Sequence, residues 1–182
     1  MKLNESHYLN DFDCGDEDLN DFLKNDALKQ QNEKLNVTKL IIFDKKIIGY
    51  VSLLTDTLLL KNIRDEDLKM DIRGMLNVNS KNKQLPAVKI GRFAIDKKYS
   101  RLGLGSDILL NIINNVKKIA DNDVGLRFVV VEGYAQAYDF YARKNNFIHL
   151  KKDDDLIKEK LDLIVRQNPK QTFYLYLDLK KY

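Results

Sequence analysis

The sequence predicts a single α/β domain built on a mixed sheet, and three observations lead there. Apolar residues alternate between helical spacing and strand-like runs, in the order helix, hairpin, strand, helix, strand, helix, strand. Glycine and proline, the strongest breakers, number only eight and two in 182 residues, so long elements and short connections follow. At roughly 150 residues per domain, this length corresponds to one domain, spanning 1–182.

The first helix is predicted from Asp16 to about Leu35, with Asp16 as N-cap and Leu19, Phe22, Leu23 and Ala27 on one stripe. Val37–Phe43 and Ile47–Leu54 read as a hairpin joined by Asp44-Lys45-Lys46. The polar stretch Asp56–Gln84 carries only a weak helical stripe at Leu68, Ile72 and Met75, and reads as an insertion or a flap. Pro86 opens a third strand, Ala87–Asp96. Leu104, Ile108, Leu109, Ile112, Ile113, Val116 and Ile119 then mark an amphipathic helix. Leu126–Val131 is continuously apolar, as expected of a strand covered on both faces. A short helix over Gln136–Lys144 stops at Asn145-Asn146, because asparagine tolerates the left-handed backbone of helix ends. Asp153–Gln167 reads as a charged surface helix. The tail alternates Phe173, Leu175, Leu177 and Leu179 with Tyr174, Tyr176 and Asp178, the pattern of a half-buried strand.

Composition excludes several classes. With 44% hydrophobic and 32% charged residues the chain is not a disordered tail. Its one cysteine, Cys14, allows no intrachain disulfide and suits a reducing cytoplasm. His7 and His149 lie too far apart to build the usual zinc sites with that cysteine, so no metal is expected. No apolar run approaches the ~20 residues of a membrane span, and the first residues do not resemble a secretory signal. The net charge of +4 admits nucleic acid or an acidic ligand and demands neither.

The stretch from Gly91 to Leu110 carries the chemistry. A strand enters a short loop with glycines two apart, Gly103 and Gly105, and the loop runs directly into a helix. Backbone N–H groups of such a loop, with the free N–H groups of the first helical turn, can cradle a phosphate, and glycine lets the phosphate approach the backbone. Arg101 and Lys97 or Lys98 add positive charge; the alternative is a tight turn with no ligand. A P-loop is excluded because no Gly-x-x-x-x-Gly-Lys-Ser/Thr string occurs. A dinucleotide fold wants three spaced glycines in its first strand–helix turn, and here the glycines come mid-chain.

These residues resemble the GNAT superfamily of acyl-CoA-dependent N-acetyltransferases. Phe93-Ala94-Ile95-Asp96 followed by Ser100-Arg101-Leu102-Gly103-Leu104-Gly105 is similar to the family's strand and its Gln/Arg-x-x-Gly-x-Gly/Ala phosphate loop. Ser100 stands where the family has Gln or Arg, and Arg101 is displaced by one. Phe140-Tyr141 and Asn146-Phe147 resemble the second signature, with asparagine in place of glycine. A narrower likeness, in Phe12-Asp-Cys-Gly through Leu23 and in Gly49–Leu53, is to the subgroup containing bacterial toxins that acetylate aminoacyl-tRNA.

The resemblance implies a GNAT-like domain with a mixed, mostly antiparallel twisted sheet flanked by helices. It implies acetyl-CoA as co-substrate, held by Phe93, Ala94 and Ile95 and by the loop Ser100, Arg101, Leu102, Gly103, Leu104, Gly105 and Ser106. The strand edge would pair with the pantetheine arm as an added strand does, one N–H facing the thioester oxygen. Tyr141 matches the family's acid: a phenol of pKa about 10 can protonate a leaving thiolate of about 8.5. Taken without the family, Tyr141 shares a helical stripe with Ala137 and Phe140 and reads as core. Glu132 is a candidate base. The partners implied are an amine acceptor, with aminoacyl-tRNA favoured, and an antitoxin protein; no membrane is implied, and a homodimer is compatible. Two other functions stay open: an acetyltransferase for a small amine or protein N-terminus, and a non-catalytic acyl-CoA-binding protein.

Overall fold

The computed structural model describes residues 1–77, 80, 82–100 and 102–182. Its strands are β1 (Val37–Phe43), β2 (Lys46–Leu59), β3 (Gln84–Ile95), β4 (Phe128–Tyr134), β5 (Ile148–His149) and β6 (Thr172–Asp178). They form one sheet in the order β1-β2-β3-β4-β6-β5, with β1–β2, β4–β6 and β5–β6 antiparallel. The helices are α1 (Glu17–Asp21), α2 (Ala27–Asn32), α3 (Glu66–Leu76), α4 (Leu104–Asn122) and α5 (Asp154–Gln167). The expected α/β class with a mostly antiparallel sheet is what the chain adopts. No helix among the described residues is long and apolar enough to cross a membrane.

The chain divides into two compact units, Met1–Thr55 with Lys89–Ile112, and Asp56–Val88 with Ile113–Tyr182. In the first, Asp16 caps α1 by accepting from Leu19 N at 3.2 Å, as its side chain predicts. The predicted helix does not run straight to Leu35: a π-helical turn, Phe22–Asp26, separates α1 from α2. Both Phe22 and Leu23 are buried there, with Leu3, Phe12, Ala27, Leu40, Tyr50 and Ala94 around them. Tyr50 anchors this cluster, edge-on to Phe12 and stacked on Phe22, with its hydroxyl donating to Leu19 O at 2.8 Å. The hairpin closes through Asp44 and Lys45, both at positive φ (47° and 60°), the backbone a two-residue hairpin turn demands.

In the second unit, Asp56–Gln84 proves to be framework rather than a flap. Leu58, Leu60, Ile63, Leu68 and Ile72 all join the core with Leu85, Phe128, Val130, Leu150 and Tyr176. Met75, expected on the helical stripe, is 59% exposed, and Asn77 ends α3 in the left-handed conformation at φ 49°. Val78, Asn79 and Lys81 of this stretch lie outside the described residues. Phe128–Val131 are buried on both faces, as the apolar run predicts. The tail strand is not half-buried: Leu175 to Leu179 are all buried, because β6 lies between β4 and β5. The polar side chains of that buried stretch, Tyr176 and Asp178, are satisfied internally. Tyr176 OH accepts from Arg64 N at 3.0 Å, and Asp178 receives a bidentate pair from Arg127 at 2.5 and 2.8 Å.

Candidate functional site

In the first unit the loop after β3 is organised by a carboxylate. Asp96 is 3% exposed. Its N–H donates to Ile48 O at 2.9 Å, and its two oxygens accept from Asp13 N (3.1 Å) and Lys98 N (2.9 Å). Tyr99 N returns to Asp96 O, and Lys97 N donates to Asp13 O at 2.8 Å. Asp13 also accepts from Gly15 N and Asn20 Nδ2 and pairs with the Lys97 ammonium. Those partners hold the Asp13 carboxyl well below the ordinary carboxylate range, and Asp13 pushes the Lys97 ammonium up. Residues 12–20 therefore buttress residues 96–98, a link that nothing in the sequence spacing announces.

Beyond this buttress the loop is open. Ser100 is exposed and its hydroxyl donates to Lys97 O at 2.9 Å, so the residue in the family's Gln/Arg position serves the loop itself. Arg101 lies outside the described residues. Leu102 is 66% exposed. Gly103 sits at φ 82°, with nothing within 4 Å of the place a Cβ would occupy. That is a left-handed turn with vacant space beside it, followed at once by the first turn of α4 with Leu104, Gly105 and Ser106. A helix start beside such a turn suits an anion, and Ser106 N already donates to Gly103 O at 3.3 Å.

The strand leading into the loop is placed by close backbone approach. A Cβ on Gly49 would lie 2.7 Å from Ala94 O and 2.8 Å from Ile95 Cδ1, so only glycine lets β2 approach β3 at this point. Since Asp96 N points to β2, alternation along the strand turns the N–H of Ile95, and with it that of Phe93, away from β2. Ala94 itself is buried, and Phe93 and Ile95 are half-buried.

Tyr141 belongs to the second unit. It lies in the π-helical segment Asp139–Lys144, a geometry that is rare and concentrated at functional sites. Its ring meets Phe140 and Phe147 edge-on, centroids 5.0 and 5.7 Å away. Gly133 on β4 makes room for it, since a Cβ there would stand 3.0 Å from Tyr141 Cδ2. The side chain is 6% exposed, and its hydroxyl makes no hydrogen bond among the described residues. Burial pushes the phenol above its usual value, so it stays protonated at neutral pH. Asn146 occupies the family's glycine position at φ 59°, which asparagine adopts at modest cost, and Phe147 N then closes onto Tyr141 O at 3.0 Å.

Two further residues of interest have plain roles. Glu132 is exposed and accepts from Thr172 Oγ1 at 3.1 Å. Cys14 is half-buried against Asn20 Oδ1 (3.2 Å), and burial pushes its thiol up, away from reactivity.

A β-strand, a glycine turn and a helix start thus follow one another in the first unit, and a buried tyrosine lies in the second. No family model matches the chain. Among solved structures it is similar to AtaT complexed with acetyl-methionyl-tRNAfMet (TM-score 0.74, 22% identity, 98% of this chain and 91% of AtaT). It is also similar to a variant of KacT with one tyrosine changed to phenylalanine (0.73, 22%, 96% and 89%). A third neighbour is AtaTR bound with acetyl-CoA (0.70, 22%, 99% and 92%). At these identities the likeness establishes the fold, which is the one the GNAT resemblance implies.

Proposed function

We propose that this chain is a cytoplasmic acetyl-CoA-dependent N-acetyltransferase whose acceptor is the α-amino group of an aminoacyl-tRNA, and that it is the toxin of a toxin–antitoxin pair. The observation that carries this reading is the near-complete overlap with AtaT holding acetyl-methionyl-tRNAfMet. A tyrosine-to-phenylalanine mutant of the AtaT toxin has also been seen bound to the C-terminus of the antitoxin AtaR and acetyl-CoA.

In this reading the Gly103–Ser106 backbone holds the pyrophosphate, for which the open left-handed turn at Gly103 leaves room. The outward N–H groups of Phe93 and Ile95 pair with the pantetheine arm, and one of them hydrogen-bonds the thioester oxygen. The neutral amine forms the new N–C bond, the C–S bond breaks, and the amine proton leaves to solvent. Tyr141 gives its proton to the departing sulfur. Its raised pKa does not bar this, because the same buried surroundings disfavour a thiolate as they disfavour a phenolate. An α-amino group of pKa about 8 is partly neutral at physiological pH, so no strong base is needed.

The test uses labelled acetyl-CoA, a pool of charged tRNA, and wild type beside Tyr141→Phe. Label is expected in acid-precipitated tRNA with wild type. The variant should retain the KM for acetyl-CoA and lose kcat by about 10²-fold or more, the usual worth of a positioned acid. Label in free amines but not in tRNA would discard the acceptor, and no transfer at all would leave a binding protein.

A further inference from the structure

The transfer chemistry leaves unused a line of four titratable side chains in the second unit. Tyr138 OH lies 2.7 Å from His149 Nδ1, and His149 Nε2 lies 2.7 Å from Asp154 Oδ1. The same oxygen takes Arg64 Nε at 2.7 Å. Both Tyr138 and His149 are 7% exposed, so the bond between them is shielded from water, while the Asp154–Arg64 pair reaches the surface. Desolvation works against the charge of Asp154, but the hydrogen bond from His149 and the Arg64 guanidinium outweigh it and hold that carboxyl below its ordinary range.

Proton positions follow from this. An ionised Asp154 can only accept, so Nε2 carries the hydrogen. In a neutral imidazole Nδ1 is then the acceptor, and Tyr138 donates to it. Every polar atom in the line has one role, which gives the Tyr138 ring one orientation. That ring also rests edge-on against Phe173, centroids 6.0 Å apart.

Tyr138 is the residue from which the π-helical segment Asp139–Lys144 starts, and Tyr141 follows within its first turn. Among the described residues Tyr141 has no hydrogen bond to hold its own hydroxyl, so its position depends on ring packing and on where this segment begins. We propose that Tyr138, His149, Asp154 and Arg64 form a positioning network that fixes the start of the Tyr141 segment, with His149 as its central positioning residue. The proposal rests on the reading of Tyr141 as proton donor. The network moves no proton to substrate. It holds the donor where a displacement on the order of 1 Å would cost much of the rate.

The experiment compares wild type, Tyr138→Phe, His149→Leu and His149→Gln, each alone and combined with Tyr141→Phe, in acetyl transfer to charged tRNA. Tyr138→Phe removes one hydroxyl and keeps the ring, so it should stay folded while kcat falls tenfold or more and KM for acetyl-CoA stays within twofold. His149→Gln, which can still accept from Tyr138 and donate to Asp154, should restore most of the kcat that His149→Leu loses. In the Tyr141→Phe background Tyr138→Phe should cost nothing further, because the two act through one group. An unchanged kcat in Tyr138→Phe, or an equal loss in both backgrounds, overturns the proposal. Hydrogen exchange of amides 139–144 provides an arm that needs no activity: Tyr138→Phe should speed it at least tenfold, and unaltered exchange overturns the network. If Tyr141→Phe transfers as well as wild type, the acid assignment falls, while faster exchange in Tyr138→Phe still supports the positioning role.

Discussion

The loop after β3 and the pocket of Tyr141 solve opposite problems. In the proposed function the loop offers backbone to a highly charged ligand, which its exposure suits, and its rigidity is supplied from behind by Asp96 and Asp13. In the same proposal the tyrosine gives up a proton, and it is packed among Phe140, Phe147 and Gly133 with no hydrogen bond to its hydroxyl among the described residues. Polar groups do the holding in the first, whereas in the second apolar surface packs the tyrosine ring and polar groups lie only at the start of its segment. The two regions should therefore fail in different ways. Damage to the loop should appear in affinity for acetyl-CoA, and damage around the tyrosine should appear in turnover.

The sharpest way to break that contrast is Gly103→Asp. An aspartate at φ 82° is strained by about 1–2 kcal/mol, and it brings a negative charge beside the N–H groups assigned to phosphate. Space is free around this position, so the fold should survive with a small drop in Tm. Calorimetric titration with acetyl-CoA should show binding weakened by two orders of magnitude or more. Wild-type affinity would remove the phosphate assignment.

A smaller effect of the same kind is expected from Gly49→Ala. The added methyl would meet Ala94 O at 2.7 Å, and neither backbone can yield cheaply, so overpacking should cost about 1–3 kcal/mol of stability. Because the displaced strand carries Phe93 and Ile95, acetyl-CoA affinity should fall with it, while Tyr141 and its surroundings keep their rings in place. Denaturant melts and the same titration check both halves. A loss of kcat with unchanged affinity would show that the division between the two regions is wrong.

How much of this was legible depended on which residue types did the work. Gly103 and Gly105 between a strand and a helix fit either an anion loop or a tight turn with no ligand, and the likeness to a known phosphate loop favoured the first. Tyr141 announces nothing by itself. It shares its stripe with Ala137 and Phe140, and only the likeness of Phe140-Tyr141 and Asn146-Phe147 to a known signature separated it from core. The buttress of Asp96 on Asp13 and the line from Tyr138 to Arg64 were illegible, since their members are joined only by the fold. The tail strand misled for a similar reason. Its alternation is real, but β6 lies inside the sheet, and Tyr176 and Asp178 are buried with their polar atoms satisfied by Arg64 and Arg127. β5, two residues long, left no pattern to read.

The smallest expected effect lies at Asn146, where the chain turns back toward the tyrosine. Its φ of 59° is the conformation for which the family's glycine is suited, and asparagine is among the side-chain-bearing residues that adopt it most readily. Asn146→Gly relieves that strain but loosens the unfolded chain, and the two contributions, each about 0.5–1 kcal/mol, oppose one another. Stability should therefore change by less than about 1 kcal/mol, with kcat untouched, since Phe147 N can still reach Tyr141 O and the ring contacts are unaltered. Asn146→Val, which brings a β-branched side chain to the same backbone, should instead lower both Tm and kcat, because the turn must reopen to accommodate it. Paired thermal melts and turnover measurements decide the matter. A glycine variant that lost activity would show that the Asn146 side chain itself, rather than its backbone, serves the tyrosine.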